Sequence, residues 1–308
     1  MRRLALLALA SLVVAPAAHA YPWPVRPFNV QHPIRGGFDD PRSLRGSVDP
    51  TIDNPLSFHD GVDIQAPDGS PVYSVAPGIV TFPAPSAVAV SGGGVTFGYW
   101  HIVPAVGPNQ YVSSGRLLGY IRPGAGHVHL AEKRFGTYVN PLRRGGLAPY
   151  RDATSPVIRG LVFYRCGTHT ELPATAVGGC VDIAVDAYDP PAIPPKPPWS
   201  GVVLAPSRIT WSGLFSADAW RPVGFQAQHV DFSRLLAADD VRSVYAPGTR
   251  QNQANWPGDY RFWLAHNVAT TLLGDGTHVL WVTATDVRGN TATRAIPFTV
   301  ANGPPATP

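Results

Sequence analysis

The sequence predicts a mainly β protein built in two parts, and three observations carry that prediction. Charged residues are only 14% of the 308, while proline and glycine number 34 and 31. That balance excludes a coiled coil, a long helical bundle and an acidic disordered chain, all of which need more charge. Hydrophobic residues reach 44%, enough to build packed cores. Short β-type runs separated by turn signals then recur along the chain. The net charge of +4 comes without a Lys/Arg block, so no nucleic-acid partner is expected.

Residues 1–20 read as an address. Met1-Arg2-Arg3 is a basic head, Leu4 to Ala15 an apolar run, and Ala18-His19-Ala20 a small-residue cleavage site, the three-part build of a secretory signal peptide. The run falls short of the ~20 residues that span a bilayer, and Pro16 interrupts it. Stable membrane insertion is therefore not expected, and the mature chain is read as secreted and starting at Tyr21. In an oxidising compartment the only two cysteines, Cys166 and Cys180, are expected to form a disulfide. A metal site from Cys166, His169 and Cys180 is the lesser alternative, for want of a fourth ligand.

Residues 21–57 are rich in Pro, Gly and Asp and read as an N-terminal extension leading into a first domain, 58–150. There, strands at 62–64, 71–75, 79–82, 95–97 and 117–121 are punctuated by Gly61, Asp68-Gly69, Pro77-Gly78 and Pro123-Gly124. Six prolines among residues 190–198 predict a stiff spacer, between domains or within one long loop. A second domain is read over 155–302. Its clearest strand pair, Val279–Ala284 and Ala292–Phe298 around Asp286–Asn290, resembles the end of an immunoglobulin-like β-sandwich. Leu214 to Ala265 fits neither period, and 303–308 reads as a disordered tail.

The chemistry concentrates between positions 59 and 129. His59 and Asp63 stand four residues apart, and Gly61 with Val62-Asp63-Ile64 argues for entry into a strand. Alternation then puts both on one face, as it does the two imidazoles of His127-Val128-His129, roughly 7 Å apart along the strand. Two histidines and one carboxylate form a catalytic zinc set with the fourth position open to water, whose pKa zinc lowers to ~7. Each motif alone reads as ordinary polar strand residues; the two together in a His-poor β segment point to metal.

These residues resemble the lysostaphin-type zinc endopeptidases, a family of peptidoglycan hydrolases, from about Pro33 to Leu142. The matching motifs are Phe58-His59-Asp60-Gly61-Val62-Asp63-Ile64, Tyr99-Trp100-His101-Ile102 and Gly126-His127-Val128-His129-Leu130, with Ala66–Tyr73 and Asn140–Leu142 as linking segments. The resemblance implies a duplicated-hybrid-motif β fold, with His59, Asp63 and His129 as ligands of Zn2+ and His127 and His101 as catalytic residues. One would orient or deprotonate zinc-activated water and the other would stabilise the oxyanion, in either assignment. It further implies a zinc metalloendopeptidase that hydrolyses cross-links or stem peptides of bacterial peptidoglycan; a monomer is expected, and the leader places it in the extracellular space, cell wall or periplasm.

Three positions depart from the pattern: Gly92-Gly93-Gly94 stands in a shortened region, Ile102 replaces a leucine, and the acidic Glu132 falls one place late. A non-catalytic cell-wall-binding or regulatory module is the alternative. The spacings fit neither a D-Ala-D-Ala peptidase nor a metallo-β-lactamase. His32 lies outside the motif and reads as a surface loop residue. Trp199, Trp211, Trp220, Trp256 and Trp263 offer a glycan platform, although tryptophan more often anchors a core. The whole catalytic geometry is expected within residues 25–150.

Overall fold

The structure, a computed structural model, describes residues 20–43, 56–213 and 230–303. The segment read as a signal peptide, apart from Ala20, together with Trp220 and the tail beyond Gly303, lies outside the described residues. Among these residues helix is confined to Val241–Val244 and two 3-10 turns.

The alternating runs of the first half pair into one antiparallel sheet. Its order is Ile34–Gly36, Gly61–Gln65, His127–Arg134, Val95–Trp100, Ala87–Gly92, Gly78–Thr81 and Tyr111–Val112, with Thr137–Val139 on the far end of the His127 strand. A smaller sheet joins Pro71–Tyr73, Leu117–Ile121 and Ile102–Pro104. Val62, Ile64, Val128 and Leu130 point into a shared core with Tyr99, Ile102 and Leu118. Alternation turns Asp63, His127 and His129 to the opposite face.

Residues 21–38 are built into this unit. Tyr21, Trp23, Val25, Ile34 and Phe38 sit in its core, so the boundary read at residue 58 falls inside a packed body. Scattered among prolines, those apolar residues carry no period that marks a strand or a helix. The Tyr21 hydroxyl donates to the fully buried Glu132 at 2.6 Å, which also accepts bonds from Arg143 and Arg134. Glu132 shares the parity of Val128 and Leu130, so it is a structural ion-pair centre turned away from the histidines.

In the second half, one four-stranded antiparallel sheet runs Glu171–Leu172, Val157–Arg165, Cys180–Tyr188, Arg261–Ala269. The other runs Val230–Asp231, Arg208–Ser212, Gly276–Thr285, Thr291–Val300. Their inner faces share a core in which Phe163, Ile183 and Phe262 meet Trp211, Leu280 and Phe298. The Cys166–Cys180 disulfide joins neighbouring strands, with Cα atoms 5.4 Å apart. Trp211 and Trp263 are buried, their indole N–H groups donating to Leu264 and Arg242 carbonyls; Trp256 is half exposed.

The proline-rich segment is docked onto the first half and does not act as a free spacer. Gln65 donates to the Lys196 carbonyl at 3.0 Å and accepts from its N–H at 2.7 Å. Nearby, Ala205 N–H donates to Asp40 and the Tyr245 hydroxyl to the Asp39 carbonyl. On another part of the seam Arg288 donates to the carbonyls of Leu142 and Tyr150. No helix among the described residues is long and apolar enough to cross a membrane.

Candidate metal centre

Two adjacent strands supply most of the site. Register pairs Asp63 directly with His129 and His127 with Gln65, which brings cross-strand side chains within ~5 Å at Cβ. His59 stands just ahead of the Gly61 strand, its backbone tied to Asp39 and Asp40 at 2.8 and 3.0 Å. A Cβ on Gly61 would collide with the Leu130 carbonyl and approach His129 Nε2 to 2.8 Å. Only glycine lets the His129 ring lie there.

Three donor atoms converge as a result. His59 Nε2 lies 2.8 Å from His129 Nδ1, and each lies 3.2 Å from Asp63 Oδ1. All three side chains are buried. The outer ring nitrogens have acceptors: His59 Nδ1–H donates to the Gly37 carbonyl at 2.6 Å, and His129 Nε2–H to Asp60 at 3.2 Å. With both imidazoles neutral, two lone pairs therefore face each other at 2.8 Å beside a carboxylate, an arrangement that requires a cation or a proton. Tetrahedral ligands ~2.0–2.1 Å from zinc sit about 3.3 Å apart, close to the spacing here, and metal-binding histidines commonly anchor their second nitrogen in this way. The donor set fits a zinc ion.

The electrostatics agree with a site built for positive charge. Burial alone would raise the Asp63 carboxyl, but His59, His127 and hydrogen bonds from the imidazoles hold it well below the usual carboxylate range. Burial works against charge on His129, yet its bonds to Asp60 and Asp63 outweigh that and push it up to about 9. Burial, then the Arg42 charge, lowers His59. Arg42 donates to Asp63 Oδ2 at 3.0 Å.

His127 lies beside the triad. Its Nδ1–H donates to the Ala125 carbonyl at 2.7 Å, and its Nε2 lies 3.4 Å from Asp63 Oδ1 and 3.5 Å from an Arg35 nitrogen. The His101 ring centroid is 4.5 Å from that of His127. His101 has φ of 65°, a strained conformation for a non-glycine residue that is concentrated at functional positions. Burial, followed by the His127 charge, lowers its pKa to about 4, so it is neutral at pH 7. All five sequence-selected residues thus meet in one place. His32 is apart, bonded to the Pro27 carbonyl at the surface.

Sequence reasoning missed Asp60, Arg42, Arg35 and the carbonyls of Gly37 and Ala125. Asp60 had a signal in its place next to His59, whereas a carbonyl acceptor has no residue signature. Arg35 stacks 4.1 Å over the Trp199 ring, and its buried Nε has no hydrogen-bond partner. Beside it opens a cleft of about 520 Å³ whose walls include Gln65 and Gly126 from the first half and Lys196 and Trp199 from the second.

Residues 57–141 match Peptidase family M23. The chain carries an M23 peptidase domain. Among curated proteins none matches the chain. Among solved structures, Helicobacter pylori Csd3 is 21% identical over 40% of this chain and 34% of that one, with a TM-score of 0.30. A zinc containing peptidase from Vibrio cholerae is 23% identical over 38% and 37%, at 0.31. The catalytic domain of the antimicrobial peptidase lysostaphin from Staphylococcus simulans is 19% identical over 32% and 77%, at 0.25. The chain thus spans about a third of the length of the first two. Similarity at these scores has no bearing on chemistry; what bears on it is the M23 match and the geometry of its residues.

Proposed function

We propose that the chain is a secreted zinc metalloendopeptidase that hydrolyses peptide bonds in the cross-links or stem peptides of bacterial peptidoglycan. The observation that carries this reading is the convergence of His59 Nε2, Asp63 Oδ1 and His129 Nδ1 within an M23 domain, with His127 beside them. Those three atoms would hold the zinc. When bound, zinc supplies Lewis-acid polarisation of the scissile carbonyl and acidifies water.

The remaining groups act on protons and orientation. Ala125 fixes the His127 tautomer, so its Nε2 is available to take a proton from the attacking water and return it to the leaving amine. Neutral His101 offers an N–H at the same edge, suited to the oxyanion that develops in the transition state. Arg35 and the cleft beside it would steady an extended peptide. Export rests on the leader at 1–20 and agrees with the disulfide. The paired sheets of the second half are read as an immunoglobulin-like sandwich that walls the cleft, and the enzyme as a monomer.

The test is digestion of purified peptidoglycan by the full-length protein, with zinc measured on the same sample. About one zinc per chain and release of soluble peptide fragments are expected, and mass spectrometry of the fragments names the bond. His127→Ala should keep its zinc and release nothing. Zinc-loaded parent protein that binds the wall but releases no fragment would establish the non-catalytic binding module instead.

A further inference from the structure

A second group of ionisable side chains, outside the proposed chemistry, lies on the seam between the halves. Asp152 follows the first unit, Asp189 ends the Cys180–Tyr188 strand, and Asp286 opens the turn between the last two strands. One carboxylate oxygen from each lies within 4.8 Å of the others. Asp189 and Asp286 are 4% and 3% exposed. Three carboxylates this close, two of them this buried and Asp152 partly so, repel one another when charged unless something positive stands among them.

Two of the three have hydrogen-bond donors on both oxygens. Asp286 Oδ1 accepts the N–H groups of Arg288 and Asn290, both at 2.8 Å, and its Oδ2 accepts the Asn290 amide at 2.6 Å. Asp152 accepts the Thr154 N–H and hydroxyl on one oxygen and the Tyr150 hydroxyl on the other. Asp189 is different. Its Oδ1 is sealed from solvent with no hydrogen-bond donor, and among the described residues no Lys, Arg or His forms an ion pair with any of the three. Burial, and after it the charges of Asp286, Asp152 and Asp40, all acidic, push its carboxyl up to about 9. A sealed carboxylate oxygen without a donor, on a residue whose carboxylate stands beside two others, calls for a positive partner.

The chemistry of the donors selects the partner. All are oxygens, with no nitrogen or sulfur, which favours a hard cation. Calcium–oxygen distances of ~2.3–2.6 Å let opposed ligands stand about 4.6–5.2 Å apart, which covers the spread here, whereas magnesium at ~2.1 Å demands a tighter octahedron. We infer that Asp152, Asp189 and Asp286 form a calcium site that clamps the second half of the chain to the M23 unit. The site is independent of the zinc reading.

The test uses full-length protein stripped of metal and titrated with Ca2+ alone in zinc-free buffer. One Ca2+ per chain is expected, with a dissociation constant of about 10⁻⁴–10⁻³ M, the range of extracellular modules, and a rise of several degrees in Tm at saturation. His129→Ala should keep both responses. Asp189→Asn and Asp286→Asn, each nearly isosteric, should weaken binding at least about tenfold and lose the Tm response. No binding, an undiminished response in Asp189→Asn, or its loss in His129→Ala would overturn the site. So would a shared proton in place of the ion. Its mark is a Tm indifferent to Ca2+ that falls as pH rises from the unfolded carboxyl value of 3.8 towards about 9, because the folded state would then hold the extra proton. If Asp189→Asn fails to fold, calorimetric titration of the parent and of His129→Ala decides the matter.

Discussion

At the scale of single residues, the proposed roles separate ligands from groups that act on protons. His129→Ala removes one of three converging donors and should lose zinc and activity together. His101→Ala should retain zinc and lose about 10²–10³ in turnover, the typical effect of an oxyanion donor; zinc content and hydrolysis of a small peptide distinguish the two. The pH behaviour of metal-free protein follows from His129. Its folded pKa of about 9 lies above the ordinary 6.5, so its contribution to stability is complete below pH 6.5 and is lost as pH climbs through 9. Zinc needs the neutral imidazole, so affinity runs the other way and strengthens over that interval. Denaturation midpoints of metal-free protein at about pH 6 and about pH 9.5 should fall, while zinc titrations at the same values tighten. His59, Asp63, His127 and His129 were legible because strand parity turns their spacing into a shared face, and His101 only through the Tyr99-Trp100-His101-Ile102 motif. Arg42 was not, since its role depends on neighbours brought close only by folding.

At the scale of elements, the pairing of Gly61–Gln65 with His127–Arg134 sets the geometry of the converging donors. Gly61→Ala forces a methyl against the Leu130 carbonyl and the His129 ring. It should cost about 1–3 kcal/mol, as overpacking does, and weaken zinc binding more than Ala substitution at exposed Gly107, where a Cβ meets nothing; thermal melts with and without zinc check both. Replacing Cys166 and Cys180 by serine should cost ~3 kcal/mol by the chain-entropy model for a loop of this length, read from urea midpoints. The strands near the histidines could be foreseen from β-branched runs and turn dipeptides. The entry of residues 21–38 into the core could not, because Trp23, Val25 and Phe38 lie among turns and short bridges that follow no repeat.

At the scale of the whole molecule, the five histidine-site residues all fall within 25–150, yet the frame around them does not. Tyr245 holds the Asp39 carbonyl, Asp39 holds His59, and Trp199 stacks on Arg35 beside His127. A fragment ending near Tyr150 should therefore bind zinc more weakly, melt at lower temperature and cleave a small peptide more slowly than the full chain. Equal rates and equal melting points would show that the second half does not support the site. The seam escaped sequence reading because its contacts join Gln65 to Lys196 and Leu142 to Arg288 across long separations, and no local pattern announces them.

The strand-like bridge between Tyr21 and Leu147 has a consequence for how such a unit travels between genes. Tyr21 N–H donates to the Gly146 carbonyl, and Ala148 N–H to that of Tyr21, so the chain enters and leaves the M23 unit at neighbouring points. A body whose two ends meet can be spliced before, after or inside another reading frame without cutting any of its strands. What a transplant leaves behind is the seam. A recombinant carrying this unit alone inherits the histidines intact and must find in its new host some other surface to cover Arg35 and Asp39.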